Sequence, residues 1–102
     1  MAKNAKPQIR VLMADDHAIF REGLRKLLDG DEDITIVGEA SNGNDCIKML
    51  GKLKPDILLL DLRMPDKDGL AVLEEVNFDQ LPTRVVVLTA ADLQASLGGK
   101  DV

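Results

Sequence analysis

Asp56-Ile57-Leu58-Leu59-Leu60-Asp61-Leu62-Arg63-Met64-Pro65-Asp66-Lys67-Asp68-Gly69 is the stretch that decides the fold. Four aliphatic residues in succession, opened by Lys54-Pro55 and closed by an acid, suit a short strand buried on both faces, as in parallel sheets. Residues 63–68 then form a polar loop, and Leu70, Val72, Leu73 and Val76 recur at helical spacing over 69–76.

The same unit repeats on either side. Toward the amino terminus, 9–14 is an aliphatic strand that stops at Asp15-Asp16. Ile19, Phe20, Gly23, Leu24, Leu27 and Leu28 follow with helical period, up to Asp29-Gly30. Residues 34–40 make a second strand and 41–44 a turn. A second helix is predicted over 45–53, with Ile47, Met49, Leu50 and Leu53 available for burial. Toward the carboxyl terminus, Leu81-Pro82 is a connection, 84–88 a Val-rich strand ending at Thr89, and 91–97 a short helix closed by Gly98-Gly99. Residues 1–8 read as a flexible leader and 9–102 as one folded domain.

Strict alternation of strand and helix means right-handed crossovers and an α/β doubly wound parallel sheet covered on both faces. Such sheets hold their sites beyond the carboxyl ends of the strands, where strand order reverses. Asp15, Asp16, Asp61 and Thr89 all fall just past strand ends.

Composition narrows the partners. The chain has 102 residues and a net charge of −5, no basic run, and only Phe20 and Phe78 as aromatics, which argues against nucleic-acid binding. No apolar run approaches the roughly 18 residues of a membrane span, and Met1 to Lys6 lacks the apolar core of a signal peptide. Cys46 is the single cysteine, so no internal disulfide forms. A cytoplasmic protein is expected, with Cys46 a small buried apolar group on the second helix.

If the first and third strands are neighbours, Asp15, Asp16 and Asp61 share one crevice. Three carboxylates at close range repel unless a cation joins them, and oxygen-only ligands suit a hard divalent ion such as Mg²⁺. The competing explanation for Asp15-Asp16 is simple capping of the first helix, a role that Asp favours. His17 is assigned to packing or capping, and Lys48, Lys52 and Lys54 to a solvated face.

Three fragments taken in order carry a resemblance: Ala14-Asp15-Asp16-His17, then Leu60-Asp61 with Met64-Pro65 and Gly69, then Leu88-Thr89-Ala90. Together they resemble the receiver domain of a bacterial two-component response regulator. The run from Asp16 to Leu24 is similar to the LuxR-type (NarL/FixJ-like) subfamily, whose receivers precede a helix-turn-helix output domain. The resemblance implies a flavodoxin-like sheet in the order second, first, third, fourth, fifth strand. It implies Asp61 as phosphoacceptor, Asp15, Asp16, Asp61 and the backbone carbonyl of Arg63 as Mg²⁺ ligands, and Thr89 as the hydroxyl that contacts the phosphoryl group. The partner it implies is a sensor histidine kinase; a second copy, through the fourth-strand edge or the first-helix face, is a candidate homodimer contact on the separate ground that both are expected to lack their neighbours.

The family pattern continues into a fifth strand bearing a phosphate-contacting lysine and then a fifth helix. Lys100, the only lysine after Thr89, comes too soon to take that role, so the expectation is a receiver incomplete at its carboxyl end. Two other functions compete. An aspartyl-phosphate phosphatase would want a second Asp two residues after its nucleophile, where Arg63 stands. A degenerate receiver acting only as a dimerisation module stays open. Gly38 and Gly43 form no Gly-x-Gly-x-x-Gly after the first strand, which excludes a dinucleotide site. The chain is therefore expected to be a signalling module rather than an enzyme, at most catalysing phosphorylation and dephosphorylation of its own Asp61.

Overall fold

The structure, a computed structural model, describes residues 8–88. In chain order it contains β1 (Ile9–Ala14), α1 (Ala18–Asp29), β2 (Ile34–Ala40), α2 (Gly43–Leu53), β3 (Ile57–Asp61), α3 (Gly69–Glu75), a 3-10 turn (Phe78–Gln80) and β4 (Arg84–Leu88). All strand pairs are parallel and the sheet order is β2-β1-β3-β4, as the resemblance implies. Strand order reverses at β1, so the carboxyl ends of β1 and β3 lie side by side, with Ala14 opposite Leu60. Among the described residues no fifth strand or fifth helix follows. Thr89, the helix predicted over 91–97 and Lys100 lie outside the described residues, as do residues 1–7 of the leader. Gln8, also assigned to that leader, donates its side-chain amide to the Glu32 carbonyl at 3.1 Å.

Local chemistry sets the boundaries. Asn42 caps α2 by accepting from the Asp45 N–H at 2.8 Å, which starts the helix at Gly43, two residues before the predicted 45. Its far end turns through Lys54 at φ 45°, and Pro55 prevents continuation. Asp68 caps α3 through the Ala71 N–H at 2.8 Å. That helix stops at Glu75, one residue short of 76, because Val76 has turned to an extended backbone. The 3-10 turn has no counterpart in the sequence reading, which assigned no element to residues 78–80. Asn77 starts it, accepting from the Asp79 N–H at 3.1 Å.

The two faces of the sheet differ. On one, Leu12, Ala14, Ala40, Leu58 and Leu60 pack with Cys46 and Leu50 of α2, Val72 of α3 and Met64 of the intervening loop. Each large aliphatic side chain buried there is worth about 1.5–3 kcal/mol of transfer free energy. Gly38 faces the same side, since a Cβ there would meet Leu53 Cδ1 at 3.0 Å and Leu12 Cδ1 at 3.2 Å. On the opposite face, where Val11 and Met13 point, α1 is the only helix among the described residues. None of its side chains is fully buried, and Ile19 and Leu27 are 85% and 76% exposed. Helices thus lie on both faces of the sheet, as expected, and within residues 8–88 nothing packs beside α1, so Val86 stays 44% exposed.

Candidate functional site

Two neighbouring strands deliver the acids. The ladder between β1 and β2 runs one residue past β1, where the Asp15 N–H donates to the Ala40 carbonyl at 2.9 Å. Asp61 is the last residue of β3 and is paired with Leu88 of β4. Asp15 and Asp61 are buried and Asp16 is exposed. One ligand atom from each of Asp15, Asp16, His17 and Asp61 falls within 4.8 Å of all the others. The three aspartates named from the sequence are thus brought together.

Neither Asp15 nor Asp16 is the N-cap residue of α1. His17 holds that position, and its side chain makes no capping bond. The backbone N–H of His17 donates to Asp15 Oδ1 at 2.8 Å. Its Nδ1 lies 2.9 Å from Asp15 Oδ1, 3.1 Å from Asp16 Oδ1 and 3.9 Å from Asp61 Oδ2. His17 thus takes the N-cap position expected of it, without a side-chain capping bond, and its largely exposed ring also joins the acid cluster. Its position directly after two aspartates was the available signal. The hydrogen bond with Asp15, helped by the charge of Asp16, holds the imidazole pKa above its ordinary value. Burial pushes the Asp61 carboxyl up. The Arg63 N–H opposes that shift, and the charges of Asp15 and Asp16 add to it.

The loop after β3 is pinned from both ends. Asp61 Oδ1 accepts from the Arg63 N–H at 2.9 Å, while the Arg63 side chain is exposed. Asp66 adopts a left-handed φ of 67°, and the Lys67 N–H closes back on the Pro65 carbonyl at 2.7 Å. Glycine is required where the loop rejoins the body. A Cβ at Gly69 would lie 2.5 Å from the Asp61 carbonyl oxygen, and one at Gly43 would lie 2.1 Å from that of Lys67. Thr89 lies outside the described residues.

A parallel β2-β1-β3-β4 sheet carrying a carboxylate cluster across the ends of β1 and β3 defines a receiver-type domain. The chain belongs to the response regulator receiver domain family, which matches residues 11–97. It is 42% identical over 82 residues to the nitrate/nitrite response regulator NarL of Escherichia coli K12, covering 80% of this chain and 38% of that protein. The chain therefore spans about two fifths of the length of that relative. The signal receiver domain of NarL from Mycobacterium tuberculosis superposes with a TM-score of 0.77 at 39% identity, covering 83% of this chain and 68% of that one. A structure of two RcsB dimers bound to two parallel DNAs matches with a TM-score of 0.72 at 34% identity, covering 88% of this chain and 48% of that one.

Proposed function

We propose that this chain is the phosphoacceptor module of a two-component response regulator, taking a phosphoryl group from a sensor histidine kinase onto Asp61. The observation that carries this is the convergence of Asp15, Asp16 and Asp61 within 4.8 Å at the point where strand order reverses. The donor set fits a hard divalent cation, because every carboxylate of the cluster supplies oxygen and two of the three are buried. Asp15, Asp16, Asp61 and the Arg63 carbonyl would hold Mg²⁺, which when bound offsets the charge on the transferring phosphoryl oxygens.

The remaining chemistry belongs to the chain. The Arg63 N–H donates to Oδ1 of Asp61 while Oδ2 faces the cluster, which orients the carboxylate whose oxygen is the nucleophile. As its bond to phosphorus forms, the P–N bond of the donor phosphohistidine breaks and the leaving imidazole keeps the electron pair. Thr89 is assigned the contact to a phosphoryl oxygen. The transfer is stoichiometric, and any catalysis is confined to phosphorylation and hydrolysis at Asp61 itself.

Within the whole regulator the domain spans 9–102 and acts on a DNA-binding output region supplied by sequence outside this chain. The chain itself, at net charge −5, is assigned no nucleic-acid contact. Among the described residues no helix is long and apolar enough to cross a membrane; the cytoplasm is the site of action assigned with the phosphoacceptor role. A second copy is assigned to the β4 edge or to the α1 face, where Ile19, Phe20 and Val86 are exposed. No observation favours the alternative of a degenerate interaction module.

Incubation with acetyl phosphate and Mg²⁺, followed by intact mass, tests the proposal. One labile phosphoryl adduct is expected, absent in Asp61→Asn. An adduct that survives in Asp61→Asn overturns the assignment. Asp16→Asn should lose most of the affinity for Mg²⁺ or Mn²⁺.

A further inference from the structure

Arg21 sits on α1 one turn after His17 and bridges three parts of the fold. Its Nε donates to Glu39 Oε1 at 2.9 Å, and its Nη1 donates to the backbone carbonyl of Asp15. The Arg21 side chain is 17% exposed. Glu39 immediately precedes Ala40, the residue whose carbonyl takes the Asp15 N–H at 2.9 Å. The Asp15 residue is thus held at both its N–H and its C=O by groups tied to the end of β2.

A bulge gives Glu39 its aim. β1 and β2 pair Val11 with Ile36 but Leu12 with Gly38, leaving Val37 unopposed. Paired residues share a face, so Ile36, Val11, Met13 and Glu39 all point to the α1 side. Residues three apart on a regular strand would point to opposite sides. The extra residue turns Glu39 toward α1, where Arg21 and Arg25 meet it.

We infer that Arg21 is a positioning residue for the acid cluster: braced by Glu39, it pins the Asp15 carbonyl and fixes the backbone from which the Asp15 and Asp16 carboxylates project. The inference rests on the cation site proposed above. A guanidinium suits the task because its rigid fork serves two acceptors at once, whereas an ammonium on a flexible stem gives one point contact. Arg25 supplies the internal comparison. Its Nε and Nη2 both donate to Glu39 Oε2, and neither is bonded to Asp15.

The test uses the full chain with Arg21→Met, Arg21→Lys and Arg25→Met. Hydrogen exchange of the Asp15 and His17 amides is read without metal, and Mg²⁺ affinity by calorimetry. Arg21→Met is expected to speed exchange at both amides about tenfold and weaken Mg²⁺ about tenfold, the scale of losing a group that orients a ligand. Arg25→Met, which removes a comparable ion pair, should leave both readouts within about twofold. Arg21→Lys should fold and fall between the two. Equal effects of Arg21→Met and Arg25→Met, or no change in Arg21→Met, overturn the inference. Should Arg21→Met not fold, Arg21→Lys decides, and parent-like exchange and affinity overturn it. A parent chain that binds no Mg²⁺ removes the cation site and the inference resting on it. Faster exchange in Arg21→Met alone would then still mark the contact as structural.

Discussion

The Nδ1 of His17 lies 3.9 Å from Oδ2 of Asp61, so a ring at the start of α1 reaches the acid at the end of β3. Two chain segments distant in sequence thereby meet at one cluster, and among the described residues the His17 ring, when protonated, is the cation within 4.0 Å of its carboxylates.

The first consequence concerns pH. The folded pKa of His17 is raised above the ordinary 6.5, chiefly by its hydrogen bond with Asp15. Its contribution to stability is fully present below the unfolded value and is lost as pH rises through the folded one. His17 is the only histidine, so its ring resonances titrate without overlap. In metal-free protein the midpoint should lie above 6.5, and Asp15→Asn should lower it. A midpoint at or below 6.5 in the parent contradicts the geometry.

Asp61 carries the opposite sign. Burial, then the neighbouring acids, raise its folded pKa, so its charged form is penalised above that value and the penalty fades as pH falls through it. Asp61→Asn should therefore stabilise the metal-free protein at neutral pH, by on the order of 1 kcal/mol. For a domain of this size that is a rise in Tm of roughly 4–8 °C. Added Mg²⁺ should raise the Tm of the parent and have a smaller effect on Asp61→Asn. An unchanged or lower Tm in metal-free Asp61→Asn would show that the fold does not strain against this charge.

Glycine substitutions separate close approach from helix propensity. Gly69→Ala and Gly43→Ala force a Cβ against backbone at 2.5 Å and 2.1 Å, and each should cost about 1–3 kcal/mol by chemical denaturation. Gly51, on α2, faces open space, and Gly51→Ala should stabilise by about 0.4–1 kcal/mol. Gly69→Ala should also weaken Mg²⁺, since the displaced atom is the Asp61 carbonyl. The order of the three variants is the check.

Association follows from surface. Ile19 and Leu27 on α1 are 85% and 76% exposed, and β4 pairs with β3 alone among the described residues. Exposed apolar surface and a strand edge both recruit partners. Light scattering over a dilution series should show concentration-dependent oligomers. Leu27→Lys should abolish them if α1 is the contact, and Val86→Lys if β4 is. A monomer at every concentration would mean that these surfaces are not self-complementary.

Much of this was legible in the sequence because the signals were local. β1, β2 and β4 begin and end where predicted, since aliphatic runs there give way to turn residues or acids. Asp15, Asp16 and Asp61 could be named because each follows an apolar strand abruptly. The strand order came from the family resemblance rather than from any pattern in the residues. What stayed hidden depends on three-dimensional neighbours. Nothing in the polar positions of α1 distinguishes Arg21, which meets Glu39, from Lys26, which is exposed. The bulge at Val37 is invisible in 34–40, because regular alternation alone sets Ile34, Ile36, Gly38 and Ala40 on one face against Thr35, Val37 and Glu39 on the other, and gives no sign of a break. Helical spacing also overstated the burial of Leu27, since it records which residues share a face and not what covers it.

Cys46 has no exposed surface, and burial pushes its thiol up to about 12. Alkylating reagents need the thiolate and a path to it, and the folded chain offers neither. The only sulfhydryl in the sequence therefore serves as a clock built into the interface between α2 and the sheet. Its labelling rate counts how often that interface opens, and slower labelling on adding Mg²⁺ would measure, with no dye or tag, how far an ion at the strand ends quiets the core beneath them.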